Sequence, residues 1–248
     1  MSDDQPGAAA AATIEAPPEH ANGLATYFGV LFAPSDAFTT LARVPMWGWA
    51  CVLGMVITIT GAIVGLPATA HIAQIAQQAA ISQAPADQQQ VMRDGIGKFA
   101  PFMTGSIIFV SLLAPWIGWI ITSLLILAGT AIGRGVVSFG KAWVLSVNSY
   151  LVFALGTPLI NNVILRLQGA DNLTKPSDAY VLPSLAMLVH PDVKIGALLY
   201  SFNVINLWYY AVLAIGLSRL MKLSAVAAWV TTIVLALVFA LIAMAFAK

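Results

Sequence analysis

The side chains able to do chemistry in this chain are few and scattered. His20, His71 and His190 fall in three separate polar segments, while Asp171, Asp178, His190 and Asp192 share one stretch. Imidazoles and carboxylates act as general acids and bases, or as metal ligands, when they come at defined spacings. Here no such spacing occurs, and His71 has no nearby His, Cys or paired carboxylate. There is no G-x-S-x-G, no H-E-x-x-H and no Gly-rich phosphate loop followed by Lys. The single cysteine, Cys51, lies in an apolar run and reads as a small hydrophobe. The expectation is a protein that is not an enzyme and holds no metal and no cofactor.

Amides and hydroxyls are what remain. Asn148, Asn161, Asn162, Asn203 and Asn206, with Ser149 and Ser201, sit inside otherwise apolar runs. An unpaired amide in hydrocarbon costs several kcal/mol, so each of these must find a partner. As glue between helices, such groups contribute about 0.6–2 kcal/mol each. As a cluster, they would be a polar binding site. Asn203 and Asn206 are three apart, hence on one face of a helix, and are expected to point into a helix bundle.

The elements that carry them are membrane spans. Residues 46–66, 102–130, 142–165, 195–217 and 224–247 contain no Asp, Glu, Lys or Arg. About 20 apolar residues suffice for a helix to cross a ~30 Å hydrocarbon core. Only 8% of the 248 residues are charged and 60% are hydrophobic, too apolar a surface for a soluble fold. The fold class is therefore an all-α membrane protein with five transmembrane helices, residues 46–248 forming the membrane domain. Eleven Lys and Arg against ten Asp and Glu leave a net charge of +1, which offers no footprint for nucleic acid.

Residues 1–23 are rich in Ala and Pro, carry acids and no base, and read as a disordered tail. In 24–45, Leu24, Tyr27, Phe28, Leu31 and Phe32 recur at helical spacing, with Phe38 and Leu41 after Pro34. Two short amphipathic helices follow, lying in the membrane interface or packing on the protein's own bundle. Residues 67–100 are polar, with helical periodicity on either side of Ala84-Pro85. They read as an extramembrane helical hairpin extending the first two spans. The pairs Gly61/Gly65 and Gly129/Gly133 allow close helix approach, within the chain or in a homo-oligomer. The short linkers 131–141 and 218–223 hold Arg134, Lys141, Arg219 and Lys222 and no acid. That density places the N-terminus inside the cell and, with five spans, the C-terminus outside.

With these segments placed, the chain resembles the bacterial branch of the Yip1-domain family from about Leu24 to Met244. The resemblance rests on Leu31-Phe32-Ala33-Pro34-Ser35-Asp36-Ala37-Phe38 before the first span and on the Gly133–Lys141 turn. Tyr150 with Pro158, and Asn203–Trp208 leading into Leu213–Leu217, add to it. It implies five helices and a cytoplasmic N-terminus. Eukaryotic members are linked to vesicle traffic and Rab GTPases, but their Asp-Leu-Tyr-Gly-Pro signature is absent here, so Rab binding does not carry over. Some bacterial relatives look like accessory subunits of ABC-type exporters. The expected role is a non-enzymatic accessory or scaffold subunit of a bacterial inner membrane, C-terminus periplasmic, binding such an exporter, another membrane protein or lipids. The alternative is a transporter or lipid-moving protein with a pathway along spans three and four.

Overall fold

The computed structural model describes residues 22–189 and 192–247. Residues 1–21 of the expected tail, His20 and His190 lie outside the described residues, and the tail boundary at 23 is corrected, because Asn22 caps the first helix and Gly23 begins it. The chain folds into helices α1 (Gly23–Phe32), α2 (Pro34–Arg43), α3 (Gly48–Gln83) and α4 (Ala86–Ile132). Next come α5 (Phe139–Ala154), a π turn (Leu155–Asn161) and α6 (Asn162–Gln168), which form one continuous rod. A loop with α7 (Ala186–Val189) leads to α8 (Val193–Tyr200), α9 (Val204–Leu220) and α10 (Ala225–Phe246).

Among the described residues, four helices are long and apolar enough to cross a membrane: Gly48–Gln83, Gly105–Ile132, Phe139–Gln168 and Ala225–Phe246. The expected uninterrupted span over 195–217 is corrected. Residues 201–203 leave the helix, giving α8 with 8 residues and α9 with 17. At a rise of ~1.5 Å per residue α9 reaches roughly 26 Å, short of the ~30 Å core. Asn203 causes the break. Its backbone is extended (φ −74°, ψ 162°), and its side-chain oxygen accepts from the amides of Ile205 and Asn206, starting α9 afresh. The Val204 amide, lost to the helix, donates to the Pro183 carbonyl at 3.1 Å. Both halves nevertheless pack along α10.

Pro158 shapes the other broken region. A proline has no N–H and its ring crowds the carbonyl one turn back, so the α-helical ladder widens into a π turn there. The Gly61/Gly65 pair of α3 packs on this turn. A Cβ at Gly61 would overlap the Pro158 carbonyl oxygen, and one at Gly65 the Asn162 side-chain amide. Gly129 and Gly133 of α4 meet Thr231, Leu223 and Ala227 around α10 in the same way. Both glycine pairs thus serve packing within the chain.

One face of α1 and α2 docks on α3, α5 and α9, burying Tyr27, Val30, Phe38 and Leu41. The opposite face of α1 leaves Leu24, Phe28 and Phe32 exposed, and Trp208 donates from Nε1 to the Leu31 carbonyl at 3.2 Å. At one end of the bundle, the two basic linkers are joined by a hydrogen bond from the Val136 amide to the Met221 carbonyl, 2.7 Å. This is the linker end. The loop 169–189 lies at the other, the loop end.

Candidate functional site

The five asparagines divide into two groups. Asn148 is buried in α5 and donates from Nδ2 to the carbonyls of Met46 and Val144, both at 2.9 Å. It ties the start of α3 to the rod. Asn162 donates to the Pro158 carbonyl at 2.9 Å, closing the π turn on itself. Neither meets another of the five asparagines.

Asn161, Asn203 and Asn206 converge near Tyr200. The Tyr200 hydroxyl donates to Asn161 Oδ1. Asn203 Nδ2 donates to the Tyr200 carbonyl at 3.1 Å, and Asn206 Nδ2 to the Ser201 carbonyl at 3.2 Å. Asn161 also grips the loop, donating to the Ala179 carbonyl at 3.2 Å and accepting from the Val181 amide at 3.4 Å. Asn203 is fully buried and pairs as an isolated antiparallel bridge with Ser184 of the same loop. Asn206 is buried too, but its Oδ1 has no partner among the described residues. The expectation that Asn203 and Asn206 share a helix face is corrected, because Asn203 caps the helix on which Asn206 lies.

The loop that these amides hold is ordered by further contacts. His71 Nε2 on α3 lies 3.1 Å from the Leu173 carbonyl, where a ring N–H donates. Leu173 is buried with Ala68 and Leu165, and the Tyr180 and Tyr200 rings stack at 4.5 Å. Asp178 Oδ2 accepts from the Thr174 and Lys175 amides and the Thr174 hydroxyl at 2.8–3.1 Å. Partial burial pushes the Asp178 carboxyl up, but those donors and the nearby Lys175 charge outweigh it and hold the group below the ordinary aspartate value.

A second polar cluster lies deeper in the bundle, and sequence reasoning missed it. Thr58 and Tyr150 share a hydrogen bond of 3.0 Å, and the hydroxyls of Ser123 and Ser146 both donate to the Trp119 carbonyl. Trp119 packs edge-on against Trp143 and Tyr150. Serine and threonine in a helix commonly bond the carbonyl a turn back, so their letters do not announce a role between helices. Among the described residues, no group of three or more His, Cys, Asp or Glu is placed to hold a metal.

Fold and polar groups together define a polytopic helical membrane protein whose buried amides bind other groups of the same chain. The chain is related to the membrane protein YknW of Bacillus subtilis (strain 168), at 27% identity over 212 residues covering 84% of each chain. No known protein family matches the sequence, and no solved structure matches the fold.

Proposed function

We propose that the chain is a non-enzymatic accessory or scaffold subunit of Yip1 type that binds another membrane component, an ABC-type exporter or lipids. The observation that carries this reading is the destination of the intramembrane polarity. Asn148, Asn161, Asn162 and Asn203 are all engaged by groups of this chain, as glue is. The outward surface is apolar by contrast, and α4 exposes Phe109, Val110, Ile117, Ile120 and Leu124. Such a face is covered by lipid or by another apolar helix.

Two further features support it. At ~1.5 Å per residue, the 36 residues of α3 and 47 of α4 are roughly 54 and 70 Å long, well beyond a ~30 Å core. In this reading they continue past the bilayer as a helical hairpin with Gln83, Asp87, Arg93 and Asp94 in water, a surface for a partner. The joined basic linkers favour the linker end on the cytoplasmic side. The relationship to a bacterial membrane protein over most of both chains fits an inner-membrane setting.

Co-purification from native membranes in mild detergent tests the proposal, and a stoichiometric membrane partner or a retained lipid is the expected result. Specific solute or lipid flux by the purified protein alone in liposomes would overturn it in favour of a transporter or lipid-moving protein, the alternative with a pathway along spans three and four.

A further inference from the structure

The loop end contains a cavity of about 490 Å³, lined among others by Gln168, Asn172, Asp178, Tyr180 and Met187. That volume is in the ~300–1,000 Å³ range of small-ligand sites. Its walls are held in place from outside it. Asn161, at the end of the π turn, bonds the backbone on both sides of Tyr180, and Tyr200 backs the Tyr180 ring. Asp178 is also fixed, since all three of its hydrogen bonds fall on Oδ2. Its Oδ1 has no hydrogen-bond partner among the described residues. Gln168 and Asn172 are exposed, so the cavity opens to the medium.

The lining decides the class of ligand. One carboxylate is too few for calcium, which takes six to eight oxygen ligands, several of them commonly carboxylates. A carboxylate with an aromatic ring and a thioether instead suits a soft cation with an apolar body, held by charge on one side and by the ring on the other. We propose that this cavity binds an organic cation, an ammonium or guanidinium group, with Asp178 as counter-ion and Tyr180 as aromatic wall. Charged and titratable groups on the surrounding elements include Lys175, which acts on Asp178, Tyr200 behind the Tyr180 ring, Arg166 on α6, Asp171 and His71. Lys175 competes with the ligand for the same carboxylate.

The test is calorimetric titration of the full chain in nanodiscs with choline chloride and with spermidine, against sodium chloride at matched ionic strength. Saturable binding is expected, weakened at least ~tenfold by Asp178→Asn, whose remaining oxygen still accepts from the Thr174 and Lys175 amides. Tyr180→Leu weakens it similarly and Tyr180→Phe does not. Lys175→Gln tightens it, an effect that a merely structural aspartate would not produce. Asp171→Asn changes it less than ~twofold. Should Asp178→Asn fail to fold, the Tyr180 pair and Lys175→Gln decide the matter. Nanodiscs containing phosphatidylethanolamine, compared with phosphatidylglycerol alone, separate the sources. Competition by the former identifies a lipid headgroup, and equal choline binding in both identifies a soluble cation. No saturable binding in any arm, or full binding by Asp178→Asn, overturns the proposal.

Discussion

Asn203 shows how much one side chain decides here. Its oxygen accepts two amides at the start of α9 and its nitrogen donates to the Tyr200 carbonyl, and Asn203 itself is fully buried. Asn203→Leu removes these bonds and leaves the amides without acceptors, so a loss of about 2 kcal/mol or more is expected. Asn206→Leu gives up one bond from Nδ2 and an oxygen that had no partner, so it costs less. Thermal unfolding in detergent should rank them in that order, with Ser218→Leu least harmful. Ser224 is no neutral control, because its hydroxyl accepts from the Ala227 amide and caps α10. Equal melting of the Asn203 and Asn206 variants would show that the cap is not what sets the break. Asp178 gives a prediction of a different kind. Its carboxyl is held below the ordinary value in the folded loop, so its stabilisation is complete above the unfolded pKa and fades as pH falls through the folded one. Amide exchange at Thr174 and Lys175, corrected for intrinsic rates, should accelerate between about pH 5 and pH 2. Unchanged protection over that range would mean that the carboxylate does not order the turn.

At the scale of elements, the packing of α3 on the π turn is the most sensitive contact. A methyl group at Gly61 meets a backbone carbonyl, which cannot swing aside as a side chain tip can. Gly61→Ala is therefore expected to destabilise by roughly 3 kcal/mol, the upper end of ordinary overpacking, and Gly65→Ala by less. Gly95→Ala and Gly118→Ala meet nothing within 4 Å and gain helix propensity, so they should be neutral or slightly stabilising. Melting temperatures of the four variants check this, and a harmless Gly61→Ala would mean that the π turn yields. The interruptions at Pro158 and Asn203 lie on neighbouring elements, since a Cβ at Gly156 would touch Ile205. They also share the loop as their common partner, through Asn161 and through Pro183 and Ser184.

For the whole molecule, the prediction concerns topology. The structure puts residues 133–138 and 221–224 at one end, while His71 and the loop 169–189 meet at the other. With Cys51 replaced by Ala, Gln83→Cys and Ser177→Cys should label from outside intact spheroplasts, and Ser138→Cys and Lys222→Cys should not. Labelling of Ser138→Cys and Lys222→Cys alone would invert the orientation and leave the fold intact. Mixed labelling within either pair would contradict the packing itself.

Taken alone, the sequence determined that this is a helical membrane protein, because hydrophobicity sums along a helix and is readable wherever 20 or so residues lack charge. It also marked the turn at Ala84-Pro85, the basic linkers and the asparagines, all of which are local signals. It did not show that 195–217 is broken. Asn is compatible with a helix interior and with a cap, and the choice at Asn203 is completed by Pro183 and Ser184, about twenty residues away. The partners of Gly61 and Asn161 were equally hidden, since close approach and amide pairing are relations between distant segments. Only the tertiary structure decided them, because a buried polar group takes whichever partner the packing of the chain brings within reach.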